Sequence, residues 1–253
     1  MTERTKIGFL DSGAGGITVL ARAVKKLPSA DFLYYADTDR VPYGTKTPEE
    51  VVRYTSEAVR FLEDEGAQAV VVACNTATSM AIRPLRAAFP FPIVGMEPAV
   101  KPAALGHPEG RILVCATPLT ISGEKLHTLI DRYFWGPVSP VLVPLPDLVT
   151  LAESERFDGE SFRGVIRSAG LEGERFAAVV LGCTHFVYYR ELFREAFSGA
   201  DVIDGNEGTV NRLADLISVR KVPGSGSVRF FESGRIPADE DRYRRFLGRA
   251  MKL

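Results

Sequence analysis

The sequence predicts an α/β protein made of two similar doubly wound, flavodoxin-like lobes with mainly parallel sheets and an active-site cleft between them. Short, almost continuously apolar runs alternate with amphipathic stretches, as in parallel strands that helices cover on both faces. Two pairs of segments also resemble each other: AVVVACNTAT (69–78) with AAVVLGCTHF (177–186), and IGFLDSGAGG (7–16) with ILVCATPLTISG (112–123). This internal repeat predicts two related lobes.

The predicted strands are the short apolar runs rich in β-branched residues. They cover residues 7–10, 32–36, 69–73, 93–96, 112–116, 141–144, 177–182, 201–204 and 228–233. Residues 47–66 have the ends of a helix, because Thr47 can cap it, Pro48 suits its first position and Gly66 suits a left-handed C-terminal position. The pattern of strand and helix therefore repeats along the chain.

The chain is predicted to cross between the two lobes twice. Residues 97–111 are rich in proline and glycine and read as a connection between lobes, and we expect the chain to return near Gly205. The predicted domains are residues 1–97 with 206–253, and residues 98–205. A last helix over 239–250 is rich in arginine, and we expect its basic face to be solvated because acidic residues lie beside it.

Composition excludes several classes of function. The 253 residues carry 31 basic and 32 acidic side chains, for a net charge of −1, which is too even for a protein that binds a nucleic-acid backbone. Three cysteines do not make a disulfide framework. The first residues lack the apolar core of a signal peptide, and no 18-residue apolar run follows. We expect a soluble, cytoplasmic protein that contacts neither a membrane nor nucleic acid.

Cys74 and Cys183 are the strongest candidates for chemistry. Each ends a predicted strand and precedes a predicted helix, and a helix N-terminus lowers the pKa of a thiol. Open parallel sheets bind ligands at the carboxyl ends of their strands, so two related lobes would present both thiols across one cleft. The alternative is that both are small buried core residues. Cys115 lies inside a strand and reads as core. The histidines and cysteines lack metal-ligand spacing, so we predict no metal site.

The segment DSGAGG (11–16) predicts a glycine turn between a strand and a helix. It lacks the lysine of a phosphate loop and the third glycine of a dinucleotide fingerprint. Its backbone N–H groups would suit an anion such as a carboxylate. Asp11 could accept a proton or pair with an ammonium group; alternatively, Asp11 or Ser12 caps the helix.

Four separated segments together resemble the signature motifs of the glutamate racemases, in the aspartate/glutamate racemase superfamily. They are DSGAGG (11–16), ADTDRVPYGTKT (36–47), ACNTAT (73–78) and LGCTH (181–185). The resemblance implies an isomerase that uses no cofactor and moves the Cα proton of glutamate between two thiols. It also implies that D-glutamate is supplied for peptidoglycan synthesis, cell-wall biogenesis and cell shape, and that the protein is a homodimer.

The resemblance assigns roles by motif position. Cys74 would act on D-glutamate with help from Asp11, and Cys183 on L-glutamate with help from His185. Glu153 falls where the family often places a carboxylate beside the second cysteine. The positions expected to line the substrate site are Asp11, Ser12, Tyr43, Gly44, Asn75, Thr76, Thr117, Thr120 and Thr184.

Two other functions compete with racemisation. A cysteine hydrolase could use Cys183 with His185, although a separation of two positions at a strand end is an awkward one for such a pair. A non-catalytic amino-acid binding module could share the same two-lobed cleft. Residues 186–189 depart from the family pattern, since Phe-Val-Tyr-Tyr stands where an aromatic-proline-leucine segment is usual.

Overall fold

The predicted strands are all present in the computed structural model, which describes residues 3–135 and 139–253. They form two parallel sheets, and every pair of neighbouring strands runs in the same direction. The strands are β1 Lys6–Asp11, β2 Asp31–Ala36, β3 Ala69–Val72, β4 Ile93–Gly95, β5 Ile112–Ala116, β6 Val141–Pro144, β7 Ala178–Leu181, β8 Asp201–Asp204 and β9 Val228–Glu232.

The order of the strands confirms the internal repeat. The first sheet has the order β4-β3-β1-β2-β9 and the second the order β6-β5-β7-β8. Without the edge strand β9, each sheet places its first strand between its second and third, which is the flavodoxin-like order. Strands β1 and β5 are therefore equivalent, and so are β3 and β7. The domain boundaries at 97/98 and 205/206 stay a prediction.

Helices connect the strands. The α-helices are α1 Ile17–Lys26, α2 Pro48–Asp64, α3 Asn75–Ala88, α4 Val100–Gly106, α5 Pro118–Ser122, α6 Glu124–Tyr133, α7 Pro146–Glu153, α8 Gly159–Ser168, α9 Arg190–Ala196, α10 Asn206–Leu216 and α11 Glu240–Ala250. Short 3-10 helices cover Thr38–Arg40, Tyr43–Thr45 and Thr184–Tyr189. No helix of the described residues combines the length and the apolar character that a membrane crossing requires.

The ends of α2 confirm the capping prediction. Thr47 Oγ1 accepts from the Glu50 backbone N–H, and the Glu50 carboxylate accepts from the Thr47 N–H, so the two form a capping box. Pro48 occupies the first turn, and Gly66 has a φ of +88°. Local sequence alone therefore determines where this helix begins and ends.

The connection over 97–111 contains a helix. Residues 100–106 form α4, whose Val100 and Ala103 pack with Ile112 and Val114 of the second sheet. Pro102 lies in the first turn, where its missing N–H would have no intrahelical partner. The segment joins β4 of the first sheet to β5 of the second, which agrees with the predicted connection between lobes.

A buried cluster joins the two sheets into one packed body. Phe9 and Tyr34 of the first sheet lie in the same cluster as Leu113 and Val179 of the second. Cys115 also belongs to this cluster and is fully buried, which confirms that it is a core residue. The carboxyl ends of the strands lie at the junction between the sheets, where the candidate site is found.

Candidate active site

The two cysteines follow equivalent strands. Cys74 comes after β3 and Cys183 after β7, and Asp11 ends β1. Both cysteines are 6% exposed, and Asp11 is fully buried. The repeat thus places one thiol from each lobe at the buried junction, close enough for Cys183 to influence the ionisation of Cys74.

Cys74 is the N-terminal cap of α3. Its Sγ accepts the backbone N–H of Ala77 at 3.4 Å, and the backbone N–H of Ser12 also bonds to it. Burial and then the neighbouring Asp11 carboxyl nevertheless raise the pKa of this thiol well above its ordinary value, and the two N–H groups lower it less. The expected lowering of the thiol pKa by the helix N-terminus is therefore wrong for Cys74, because desolvation outweighs it.

Asp11 is held by one hydrogen bond from each lobe. Its Oδ1 accepts the Gly13 N–H at 2.8 Å, and its Oδ2 accepts the Thr184 hydroxyl at 3.0 Å. Burial raises the pKa of Asp11 to about 6. It does not cap a helix: α1 begins at Ile17, and no side chain caps it. The carboxyl lies close enough to Cys74 to raise the pKa of that thiol.

Cys183, His185 and Glu153 form a connected series. Cys183 Sγ lies 3.7 Å from His185 Nδ1, and His185 Nε2–H donates to Glu153 Oε1 at 2.6 Å. The residues after Cys183 form a 3-10 helix, not an α-helix, and its tight turn brings the imidazole back onto the thiol. The sequence argument that a two-residue separation is awkward for this pair is wrong for that reason.

His185 and Glu153 stabilise each other's charged forms. Burial alone would lower the pKa of His185, but its hydrogen bonds to Cys183 and Glu153 raise it well above its ordinary value. Burial alone would raise the pKa of Glu153, but His185 and the Ala14 N–H, followed by Arg242, lower it to about 2. An ionised carboxylate thus faces an imidazole that retains its proton, and the imidazole faces the Cys183 sulfur.

The glycine turn binds carboxylates of the protein itself. The Gly13 N–H donates to Asp11, and the Ala14 N–H donates to Glu153 Oε1 at 2.7 Å, so these groups are not free as the sequence predicted. A Cβ on Gly13 would overlap the Glu153 carboxylate, and one on Gly15 would lie 2.5 Å from Thr184 Oγ1. The glycines are required because the second lobe packs directly on this backbone.

Two tyrosines fix the same turn from the other side. Tyr34 Oη donates to the Gly13 carbonyl at 2.7 Å, and Tyr188 Oη donates to the Ala14 carbonyl at 2.9 Å. Tyr188 belongs to the segment 186–189 that departs from the family pattern, and all of that segment is buried. The departure changes how the core is packed, and it also supplies a hydrogen bond to the turn.

Three threonine hydroxyls form a buried triangle between the lobes. Thr76 Oγ1 lies 2.8 Å from Thr117 Oγ1 and 3.1 Å from Thr120 Oγ1, and the last two are 3.0 Å apart. Thr76 comes from α3 of the first lobe, whereas Thr117 caps α5 after β5 and Thr120 lies within α5. Hydroxyls can donate or accept, so the triangle can reorient toward a carboxylate.

The remaining predicted lining residues surround the same junction. Asn75 begins α3, and its Oδ1 is a buried acceptor without a hydrogen-bond partner among the described residues. Tyr43 is buried and donates to Asp37 Oδ2 at 2.5 Å, which anchors the loop over 38–47. A Cβ on Gly44 would lie 2.8 Å from Thr117 Cβ, so this loop touches the second lobe. Ser12 is buried beside Cys74.

Two charged residues at the site escaped the sequence analysis. Arg242 of α11 reaches Glu153, although the arginine-rich helix was expected to have a solvated basic face. Asp37 lies in the segment 36–47, where it is fully buried and accepts the Tyr43 hydroxyl. No local pattern distinguishes Arg242 from its exposed neighbours, since its partner lies 89 positions away. Within the described ranges, no group of three or more metal-ligating side chains is placed to bind a metal.

Comparison with known proteins places the chain in a class of isomerases. Residues 11–213 match the profile of the Asp/Glu/Hydantoin racemase family. A glutamate racemase of Campylobacter curvus is 47% identical over 98% of each chain. One from Halothermothrix orenii is 45% identical over 96% of this chain and 97% of its own.

Solved structures agree with the sequence relatives. The fold resembles that of Escherichia coli glutamate racemase in complex with L-glutamate and the activator UDP-MurNAc-ala, with a TM-score of 0.85, 26% identity, and coverage of 98% of this chain and 96% of that one. The glutamate racemase of Aquifex pyrophilus has a TM-score of 0.76 and 31% identity over 96% of this chain and 95% of that one. The chain belongs to the Asp/Glu/Hydantoin racemase family.

Proposed function

We propose that this protein is a glutamate racemase that interconverts L- and D-glutamate by moving the Cα proton between Cys74 and Cys183. The full-length relatives at 45–47% identity bear that name, which supports glutamate as the substrate. The observation that carries the proposal is the equivalent position of the two thiols after β3 and β7, each with its own acid–base partner. Inversion at a planar carbanion needs a base on one face and an acid on the other.

Cys183 is the base toward L-glutamate. Protonated His185 lies 3.7 Å from the Cys183 sulfur, and the Glu153 carboxylate keeps that imidazole in place, so a positive charge is available beside the sulfur that accepts the proton. The thiolate forms an S–H bond with the Cα proton, and the electron pair of the broken C–H bond passes to the substrate carboxylate. No electrons leave the substrate, so the step needs no oxidant or reductant.

Cys74 is the acid in the same direction. Its raised pKa keeps the thiol protonated in the closed site, so it can deliver its proton to the opposite face of the carbanion. Transfer leaves a Cys74 thiolate, and Asp11, with a pKa of about 6, lies close enough to exchange a proton with it. In the reverse direction the two thiols exchange roles.

The polar groups between the thiols suit an amino acid. The hydroxyl triangle of Thr76, Thr117 and Thr120 can donate to a carboxylate, and the free Oδ1 of Asn75 can accept from an ammonium group. Fixed donors around the carboxylate stabilise the carbanion as its charge develops. Because both cysteines are almost fully buried, the lobes must separate to admit glutamate and then close again.

Supply of D-glutamate for peptidoglycan, in the cytoplasm and without a cofactor, follows from this proposal together with the family resemblance. A homodimer is part of the same proposal, and light scattering of the purified protein at several concentrations tests it. A mass that corresponds to one chain at every concentration would contradict the homodimer while leaving the chemistry intact.

Circular dichroism of glutamate tests the chemistry with variants of all three cysteines. The wild-type protein should racemise both enantiomers without added cofactor, and Cys74→Ala and Cys183→Ala should each lose the activity. Cys115→Ala is the matched control, because Cys115 is a fully buried core residue inside β5. Near-normal turnover by either site variant would exclude the two-thiol mechanism, and a thioester trapped on Cys183 would favour the hydrolase.

A further inference from the structure

Arg242 joins the C-terminal helix to the proton-transfer machinery of the opposite lobe. Its Nη2 donates to Glu153 Oε2 at 2.7 Å and to the Glu153 carbonyl oxygen at 2.8 Å. Glu153 Oε1 is occupied separately by His185 at 2.6 Å and by the Ala14 N–H at 2.7 Å. Each carboxylate oxygen therefore has its own donors, and the arginine binds the oxygen that the histidine does not.

The guanidinium is itself held in place. It lies over the rings of Tyr243 and Phe246, 5.6 and 5.1 Å from their centroids, and its side chain is 20% exposed. Tyr243 stacks on Phe230 of β9, and α11 packs against α1 of the first sheet. Arg242 is therefore held in place by the first lobe. Glu153 lies on α7 of the second lobe, so their hydrogen bond joins the two lobes.

We infer that Arg242 is a positioning residue: it holds the Glu153 carboxylate so that Glu153 and His185 keep Cys183 ready to exchange a proton with the substrate. This inference rests on the proposed racemase function and adds to it a residue outside every motif that the sequence offers. Without Arg242, Glu153 would lose the donor to its Oε2 and the donor to its backbone carbonyl oxygen. Its carboxylate could then rotate away from His185 or attract a water molecule in place of the imidazole.

The inference predicts an effect on one of the two proton transfers. Removing Arg242 slows the transfer at Cys183 and leaves the transfer at Cys74 unchanged. The overall equilibrium constant requires kcat/KM to fall by the same factor in both directions, so that ratio cannot locate the defect. Isotope effects can locate it, because deuterium at Cα of L-glutamate reports on Cys183, and deuterium at Cα of D-glutamate reports on Cys74.

The variants are Arg242→Met and Arg242→Lys. Arg245→Met is the matched control, because Arg245 lies three positions further along the same helix and pairs with Glu155 instead of Glu153. We expect Arg242→Met to lower kcat/KM by ~10- to 100-fold, the range found in metal sites when a residue that orients a metal ligand is removed. Its isotope effect should rise with deuterated L-glutamate and fall toward one with deuterated D-glutamate. Arg242→Lys should recover part of the rate and show the same asymmetry to a smaller extent.

Each outcome decides a separate question. If the wild-type protein does not racemise glutamate, the proposed function fails. If the wild type is active but Arg242→Met behaves like Arg245→Met, or changes both isotope effects equally, the inference about Arg242 is overturned. If Arg242→Met does not fold, Arg242→Lys decides by the same criterion, because it retains the charge and the stem that packs on the aromatic rings.

Discussion

Asp11 is the buried acid whose ionisation we expect to reduce the stability of the fold. Its carboxyl is fully buried, and burial raises its pKa from 3.8 to about 6. The folded protein therefore binds this proton more tightly than the unfolded chain does. The stabilising contribution is complete below the unfolded value of 3.8 and is lost as the pH rises through about 6. Asp11→Asn, which is nearly isosteric and never ionises, should abolish this loss.

The size of the effect follows from the shift in pKa. A change from 3.8 to about 6, at ~1.4 kcal/mol for each pKa unit, corresponds to about 3 kcal/mol. Asparagine retains an acceptor for the Gly13 N–H, and the Thr184 hydroxyl can rotate to accept from its amide. We therefore expect the free energy of unfolding of Asp11→Asn, relative to wild type, to increase by up to about 3 kcal/mol between pH ~4 and pH ~8.

Urea unfolding followed by far-ultraviolet circular dichroism measures this difference at a fixed protein concentration and several pH values. Asp131→Asn is the control, because Asp131 is an exposed acid on α6 and its substitution removes the same charge without desolvation. Racemisation by Asp11→Asn should be impaired at every pH. If the two variants show the same dependence of stability on pH, the carboxyl of Asp11 is not held protonated by burial and the reasoning is refuted.

Three further substitutions test other parts of the site. Glu153→Gln should cost about 3 kcal/mol of unfolding free energy at neutral pH. Hydrogen bonds lower the pKa of Glu153 from 4.5 to about 2, so its stabilisation is present above pH 4.5 and the cost should shrink as the pH falls toward 2 in urea titrations. Gly44→Ala should lower kcat/KM by ~10- to 100-fold, because the new methyl group would lie 2.8 Å from Thr117 Cβ and displace the loop. An unchanged kcat/KM would show that the contact between this loop and Thr117 is unimportant. Thr120→Val should raise KM by about tenfold, since one of three hydroxyls would be lost from the triangle, and an unchanged KM would remove the triangle from substrate binding.

The fold could be predicted from the sequence because its information is local. The apolar runs match the strands, and Thr47, Pro48 and Gly66 define α2 through hydrogen bonds and dihedral angles close in sequence. The repeat of strand, cysteine and small polar residues predicted the equivalence of β3 and β7. The helix over 100–106 was not predicted, because this segment was interpreted only as a connection between lobes; Pro102 is tolerated because it lies in the first turn.

The site could be predicted in its residues but not in its electrostatics. Cys74 and Cys183 end equivalent strands, which a sequence can reveal. The raised pKa of Cys74 depends on how completely it is buried and on the proximity of Asp11, both of which arise only in the folded chain. Likewise, the glycine turn was expected to offer free N–H groups, but Glu153 occupies one of them from 139 positions away.

The position of Arg242 could not be predicted from its local sequence. A helix with several arginines beside acidic residues is typical of a solvated surface, and Arg244 and Arg245 do pair with exposed carboxylates. Only the register of α11 against α7 turns Arg242 inward to Glu153. The role of such a positioning residue depends on a contact distant in sequence, so a single sequence does not reveal it.

The most direct test of the two-thiol account is the fate of the Cα proton during the first turnovers in deuterated water. L-Glutamate with protium at Cα is incubated with the protein, and the two enantiomers are separated and examined by NMR at early times. If Cys183 removes the proton and Cys74 delivers another from the opposite face, the D-glutamate formed carries deuterium while the remaining L-glutamate keeps its protium. D-Glutamate that retains protium, or L-glutamate that exchanges before any D-glutamate forms, would contradict this account.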